Sequence, residues 1–182
     1  MRVLVTGGAG FLGSHLCESL LVDFHEVCAI DDMFRGRKRN LESCKSSAAE
    51  IGVPFHLVMK DGALAESYET ALKRLNGSVD VVYHLAAING TRWFNERPDL
   101  VARVNLSTLQ MALDFAVTNG ARFVFTSSPE AFGDQQNMPI TSNSDSQFAS
   151  SSVHQRHSYG ASKYLGELLI QHAMKTHSLD AR

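Results

Sequence analysis

Short runs of apolar residues alternate with longer amphipathic stretches along almost the whole chain. Five runs predict buried strands: RVLVT at 2–6, EVCAI at 26–30, PFHLVM at 54–59, VDVVYHLAA at 79–87 and RFVFTSS at 122–128. Helical spacing of apolar residues predicts four helices, at 11–22, 65–75, 98–120 and 158–177. Strands separated by helices indicate a parallel sheet covered on both faces, so the pattern predicts an α/β fold with a doubly wound parallel sheet.

Two polar segments fit neither periodicity. Residues 32–53 follow the second predicted strand and leave the choice between helix and loop open. Residues 134–157 are rich in Ser, Asn and Gln and are too long for an ordinary connection. We therefore expect 134–157 to be a functional or mobile loop.

Composition narrows the class of protein. A chain of 182 residues is long enough for one core, so residues 1–182 are expected to form a single domain. The net charge of −2 and the lack of a long basic run argue against nucleic acid and membrane surfaces as partners. Three cysteines and eight scattered histidines show no metal-ligand spacing. The chain opens directly into a strand, so we expect no signal peptide and a reducing, cytoplasmic location.

A glycine pattern follows the first strand. Gly7, Gly10 and Gly13 form a G-x-x-G-x-x-G turn that opens the first helix. Small residues let the backbone approach a pyrophosphate, and the helix N-terminus supplies N–H donors. The position between strand and helix predicts a dinucleotide site; the alternative is a tight turn without a ligand.

Acidic residues end the second strand. Asp31 and Asp32 can accept hydrogen bonds from ribose hydroxyls and repel a 2′-phosphate, which favours NAD over NADP. Arg35, Arg37 and Lys38 follow closely and keep NADP open, because a nearby arginine can accommodate that phosphate. A solvated strand end is the alternative for Asp31.

The last helix carries a second candidate pair. Tyr159 and Lys163 lie four residues apart and therefore share one helix face. An ammonium beside a phenol can lower its pKa, and such a phenol can act as an acid or a base. Taken alone, this spacing fits an ordinary amphipathic turn equally well.

Taken in order, the glycine turn, Asp31, HLAA, FTSS and YGASK resemble the extended short-chain dehydrogenase/reductase family, whose sheet is Rossmann-like. More narrowly, the sequence is similar to the NAD-dependent nucleotide-sugar epimerases and dehydratases over essentially its whole length. The resemblance implies transient hydride transfer from a sugar carbon to bound NAD. It also implies a homodimer formed through the helices at 98–120 and 158–177.

The resemblance implies a set of cofactor contacts. The pyrophosphate turn corresponds to Gly7, Gly10, Phe11, Leu12 and Gly13. Adenine contacts correspond to Asp61 and Gly62, where a larger residue than glycine is common. The remaining implied cofactor residues are Asp31, Asp32, Arg37, Leu85, Ala86, Ala87, Asn105, Tyr159 and Lys163. Asn105 matches a family asparagine whose role is usually structural.

The resemblance also implies a catalytic set of Ser128, Tyr159 and Lys163, with Ser127 as the second choice for the hydroxyl. Tyr159 would take a proton from a sugar hydroxyl as hydride leaves for the nicotinamide, and Ser128 would hold the substrate oxygen. Glu130 is a further acid/base group that a simple 4-epimerase does not need. A UDP-glucuronate decarboxylase, in which a glutamate stands alone at this position, is therefore the alternative to an epimerase.

Family members are much longer than this chain, so we expect most of the C-terminal substrate domain to be missing, through either fragmentation or natural truncation. The fifth strand would then have an open edge. A non-catalytic NAD-binding module with a partner subunit is the alternative function. In either case we expect the isolated chain to bind NAD and to show little turnover.

Overall fold

The computed structural model describes residues 1–136, 138–152 and 157–182. Its centre is a parallel sheet in the order β3-β2-β1-β4-β5. The strands are β1 (Arg2–Thr6), β2 (Glu26–Ile30), β3 (Phe55–Val58), β4 (Val81–His84) and β5 (Arg122–Phe125). The chain therefore winds outward from β1 in one direction and then returns to wind in the other. This arrangement confirms the predicted doubly wound, Rossmann-like fold.

Helices cover both faces of the sheet. They are α1 (Phe11–Val22), α2 (Glu42–Ile51), α3 (Ala65–Arg74), α4 (Thr91–Glu96), α5 (Pro98–Asn119) and α6 (Ser158–His177). Successive β1 side chains enter opposite layers, as the two-residue period of a strand requires. Leu4 packs in the layer that includes α3, α5 and α6 residues, whereas Val3 and Val5 pack in the layer that includes α1 and α2 residues.

The polar segment 32–53 resolves into a short 3₁₀ turn, Lys38–Leu41, followed by α2. The short helix α4 was not predicted. A second 3₁₀ turn, Pro129–Phe132, follows β5. Both 3₁₀ turns and α4 lie at the carboxyl ends of strands, where parallel sheets bind ligands.

The loop that was expected to be functional or mobile is anchored at its base. Asp134 N–H donates to Gln147 O at 2.7 Å, and Gln147 N–H donates to Phe132 O at 3.0 Å. The His157 ring lies 2.9 Å from the Asp134 carboxylate. Residues 137 and 153–156 of this loop lie outside the described residues.

The prediction that β5 has an open edge is wrong. The last residues of the chain form hydrogen bonds with the strand along its length. Phe123 N–H donates to Asp180 O, Arg182 N–H donates to Phe123 O, and Phe125 N–H donates to Arg182 O, each at 2.9 Å. The chain turns back at Ser178, whose φ of 53° is left-handed, and lays its last residues along β5. No apolar run marks this segment, because only alternate residues in it are buried.

All three cysteines are buried free thiols: Cys17 on α1, Cys28 on β2 and Cys44 on α2. Burial raises the pKa of each thiol, that of Cys28 to about 12. In the described ranges, histidines, cysteines and acids form no group of three or more suited to a metal ion. Within the same ranges, none of the helices combines the length and apolarity that a bilayer crossing requires.

Candidate active site

The glycine turn after β1 fits its predicted role as a cradle. Gly7 has a φ of +72°, and a Cβ on it would lie 2.8 Å from Ala86 N. A Cβ on Gly13 would lie 2.1 Å from Gly7 O. The turn therefore packs directly on the end of β4 and on the start of α1, and a side chain at either position would break this packing. The first-turn N–H groups of α1 have no partner within the helix and remain available to an anion.

A groove of about 260 Å³ runs from this turn across the carboxyl ends of the strands. Nine of the predicted cofactor residues line it: Gly7, Gly10, Asp31, Asp32, Asp61, Gly62, Leu85, Ala86 and Ala87. Its other lining residues are Ile30, Phe34, Arg35, Gly36, Ile88, Leu100, Arg103, Val104 and Thr108. Phe11 and Leu12, at the start of α1, are exposed side chains outside the groove lining.

Asp31 links the glycine turn to the loop after β2. Its carboxylate oxygens accept hydrogen bonds from Ala9 N–H at 2.9 Å and from Met33 N–H at 2.8 Å. The residue is 8% exposed, and burial raises the pKa of its carboxyl group, against the lowering effect of these two bonds. A Cβ on Gly36 would lie 2.5 Å from Asp31 Oδ1, so the loop backbone passes directly over the carboxylate.

Within the loop after β2, the arginine that lines the groove is Arg35 and not the predicted Arg37. Arg35 Nη1 donates to Asn89 O at 2.8 Å and so joins the loop after β2 to the loop after β4. Arg37 N–H donates to Ala9 O at 3.0 Å, and the Arg37 side chain is exposed. The FRGRK segment indicated that a basic side chain would contact a ligand, but it did not indicate which arginine.

An aromatic residue, Phe34, and several α5 residues also line the groove, although the sequence did not predict them as site residues. The ring of Phe34 lies 5.1 Å from that of Trp93 on α4, which brings the two loops together beside Arg35. The α5 residues Leu100, Arg103, Val104 and Thr108 line the groove together with Asp61 and Gly62. Their i, i+3, i+4 spacing was visible in the sequence, but it does not distinguish a ligand wall from core packing.

Asn105, on α5, has a structural role. Its Oδ1 accepts from Ile88 N–H at 2.7 Å, and its Nδ2 lies 3.3 Å from Ile88 O and 3.2 Å from Ser162 Oγ. These bonds fasten the segment after β4 to α6. The residue is buried and outside the groove lining, and these contacts are those of a packing residue.

Ser128 and Tyr159 come together at the end of β5. A hydrogen bond from Ser128 lowers the pKa of the Tyr159 phenol, whereas burial, the largest effect, and the charge of Glu130 raise it. Ser128 Oγ also accepts from Glu130 N–H at 3.2 Å. The Tyr159 ring stacks on Phe94 with centroids 5.1 Å apart. The net result is a phenol whose pKa lies above its ordinary value, held in a fixed position.

Lys163 is buried beneath this pair with 4% of its surface exposed. Its Nζ donates to Thr126 O at 2.7 Å and lies 4.6 Å from the Phe125 ring centroid and 5.7 Å from that of Tyr159. Burial lowers the pKa of Lys163 to about 8. The pKa of Tyr159 is thus raised, mainly by burial, and not lowered as its spacing from Lys163 had suggested.

Ser127, the second choice for the catalytic hydroxyl, forms its hydrogen bond with a different residue. Its Oγ donates to Glu167 Oε1 on α6. Ser128 is therefore the hydroxyl of this pair that meets Tyr159. Glu130 is exposed, at the 3₁₀ turn that packs on the start of α6.

His84 is a buried site residue that sequence reasoning missed. Its Nδ1 lies 2.9 Å from Thr6 Oγ1, and its ring stacks between Phe123 and Phe125 with centroids 6.1 Å from each. Burial, assisted by the charge of Lys163, lowers the pKa of His84 to about 3. The neutral imidazole therefore connects β1 to the strand ends that carry the catalytic candidates.

Several known proteins are similar to this chain. UDP-glucuronic acid decarboxylase 1 from Danio rerio is 33% identical over 183 residues, which cover 100% of this chain and 40% of that protein. UDP-glucose 4-epimerase from Mycolicibacterium smegmatis is 31% identical, with 99% and 53% covered. The structure of UDP-glucose 4-epimerase from Thermus thermophilus in complex with NAD superposes with a TM-score of 0.79 and 29% identity, and 100% and 53% are covered.

This chain thus spans about half, or less, of the length of these relatives. The family comparison also covers nearly the whole chain. A family model described as the NAD dependent epimerase/dehydratase family matches residues 3–182. Because the match extends over nearly every residue, the chain belongs to the NAD-dependent epimerase/dehydratase family.

Proposed function

We propose that this chain binds NAD and supplies the proton-transfer residues of an enzyme that oxidises a nucleotide sugar transiently and then reduces it again. The observation that carries the proposal is the meeting of Ser128 and Tyr159, with Lys163 buried nearby, at the end of β5. These residues lie outside the groove lining, but Tyr159 packs with Ile88, which lines the groove. A scaffold role alone would not require a buried ammonium next to a buried phenol, because both groups are costly to remove from water.

The groove residues fit a dinucleotide. Gly7 and Gly10 line the groove at the tight turn before α1, where backbone N–H groups could receive a pyrophosphate, and Asp31 lines it as a possible acceptor for ribose hydroxyls. Asp61 and Gly62 would border the adenine. NAD, when bound, would accept and return the hydride.

Tyr159 would exchange the proton of the sugar hydroxyl. Burial favours the protonated phenol, so a nearby positive charge is needed to favour the phenolate. Lys163, whose Nζ lies 5.7 Å from the Tyr159 ring centroid, would provide one such charge. Ser128 would donate a hydrogen bond to the same oxygen, because its own Oγ already accepts from Glu130 N–H. Base and donor are thus fixed before the substrate arrives, which lowers the cost of orientation.

A decarboxylase of a nucleotide-sugar acid is the second candidate. Glu130 is close enough to raise the pKa of Tyr159, so a second acid/base group lies at the reacting edge. Several of the similar proteins are UDP-glucuronic acid decarboxylases. We keep epimerase as the generic assignment, because UDP-glucose 4-epimerases match the chain over an equal length.

The proposal includes a homodimer and a cytoplasmic location. Leu165 and Leu168 are exposed apolar residues on α6, a helix that packs closely on α5. A second copy would cover them. Three free buried thiols are compatible with a reducing compartment.

Mass spectrometry of the denatured purified protein would test the proposal by identifying any released dinucleotide. Calorimetric titration with NAD and NADP gives the affinities directly. We expect NAD to bind more tightly, and product to form from a UDP-, GDP- or dTDP-sugar once the substrate pocket is complete. NAD binding without turnover in a complete pocket would instead support a non-catalytic NAD-binding module.

A further inference from the structure

Three side chains on α6 each contact one of three successive residues after β5. They are spaced four residues apart and therefore share one helix face. The pairs are Tyr159 with Ser128, Lys163 with Thr126, and Glu167 with Ser127. The first pair is held close because Gly160, next to Tyr159, packs directly on the Glu130 carbonyl group of the turn that Ser128 begins. The first two pairs belong to the proposed chemistry, whereas the third has no part in it so far.

Glu167 could instead be the counterion of Lys163, four residues earlier on the helix. The environment of Lys163 argues against this role. A carboxylate partner would raise the pKa of the ammonium. The pKa of Lys163 is lowered to about 8, and burial is the cause. The ammonium donates to Thr126 O, and the Glu167 carboxylate accepts from the Ser127 hydroxyl.

Ser127 lies between two residues that are held by other contacts. Strand pairing of β5 with β4 ends at Phe125, and Thr126 is still tied to β4 because its Oγ1 donates to His84 O at 3.2 Å. Ser128 begins the 3₁₀ turn, where its carbonyl oxygen accepts from Ala131 N–H at 3.0 Å and its Oγ accepts from Glu130 N–H. The Glu167 contact fixes Ser127 between these anchors and so sets the direction in which the chain enters the turn that holds Ser128 toward Tyr159.

We infer that Glu167 is a positioning residue, which holds Ser127 so that the Ser128 hydroxyl faces the phenol of Tyr159. The inference rests on the proposed function, because it assigns Glu167 a role in preparing the proton-transfer pair. Ser128 Oγ accepts from Glu130 N–H, so its own proton is free to point at the phenol oxygen. Glu167 acts only through Ser127 and touches no reacting group.

The experiment measures ionisation of Tyr159 and needs neither cofactor nor substrate. Protein labelled with ¹³C at tyrosine Cζ is titrated by NMR, and the Tyr159 resonance is assigned by its loss in Tyr159→Phe. Glu167→Ala removes the acceptor of the Ser127–Glu167 hydrogen bond, and Ser127→Ala removes its donor. Each should release Ser128 and raise the pKa of Tyr159 by about 0.5–1 pH unit, the size expected for one ordinary hydrogen bond.

Glu167→Gln is the conservative variant, because its amide oxygen can still accept from Ser127, and it should leave the Tyr159 titration unchanged. Gln171→Ala, an exposed position one turn later on α6, controls for general effects on the helix. If Glu167→Ala does not fold, Ser127→Ala carries the test alone. An unchanged Tyr159 pKa in folded Ser127→Ala, or an equal change in Glu167→Gln, would overturn the inference.

The proposed function is tested separately by NAD titration of the unmodified chain. Failure to bind NAD would remove the function and leave the hydrogen-bond result standing as a structural fact. Binding of NAD together with an unchanged Tyr159 pKa would remove only the role of Glu167.

Discussion

Gly160 of α6 lies directly against the carbonyl group of Glu130, so that a Cβ on Gly160 would be 2.2 Å from that oxygen. The two residues flank the catalytic candidates, because Gly160 follows Tyr159 and Glu130 lies two residues after Ser128. The approach of Ser128 to Tyr159 therefore depends on a position without a side chain.

Gly160→Ala should destabilise the protein by about 1–3 kcal/mol, because the added methyl group must push the backbone of the 3₁₀ turn away from α6. Urea unfolding measures the loss. Gly62→Ala is the matched control, since a Cβ there meets nothing closer than 3.7 Å. Equal stability of Gly160→Ala and the unmodified protein would contradict the tight packing.

Asp31→Ala should weaken NAD binding by about 10- to 100-fold, the effect of losing hydrogen bonds to a charged acceptor. NADP binding should fall less, because the same change removes a repulsion of the 2′-phosphate. Calorimetric titration of both cofactors gives the comparison. Asp114→Ala, at an exposed position of α5 outside the groove lining, serves as the control. An equal loss for both cofactors would refute the role of Asp31 in choosing between them.

Tyr159→Phe should leave NAD affinity within about threefold, because the ring that stacks on Phe94 is retained. Loss of the proton acceptor should lower turnover by about 10²–10⁴-fold. The rate is measured on this chain joined to a complete nucleotide-sugar domain, and the affinity on the chain alone. A retained rate in that chimera would show that the YGASK segment is scaffold.

The stability of the protein should rise with pH between about 8 and 10.5 through Lys163. Its pKa is about 8 in the folded chain, below the ordinary 10.5, so the unfolded chain binds more protons in this interval. The full gain is about 3 kcal/mol. Unfolding free energies at several pH values, compared with those of Lys163→Met, isolate this contribution.

Lys175→Met provides the control for the Lys163 experiment, because Lys175 is an exposed lysine of the same helix. Its curve should stay parallel to that of the unmodified protein. The prediction fails if the curve of Lys163→Met is parallel as well.

The apolar runs predicted the sheet well, since strands buried on both faces read as continuous apolar segments. The helix α4 escaped prediction because its six residues are too few to show a helical period. The contacts at α4 and just before it, Phe34 with Trp93 and Arg35 with Asn89, join residues that are far apart in sequence.

Motif reasoning found the residues whose chemistry depends on spacing, such as Gly7, Gly13 and the Tyr159–Lys163 pair. It selected Arg37, whereas Arg35 is the arginine of this loop that lines the groove. The two residues lie two positions apart in one polar loop, so spacing and charge do not separate them. The Arg37 backbone instead bonds to Ala9. Glu167 was equally out of reach, because its partner Ser127 is 40 residues away.

Chemical labelling of the three buried cysteines can report on local unfolding of the first quarter of the chain. Cys17, Cys28 and Cys44 resist alkylation while folded, since burial keeps their thiols protonated and out of reach. Residues 45–182 contain no cysteine. The rate of iodoacetamide labelling under native conditions therefore follows the exposure of α1, β2 and α2.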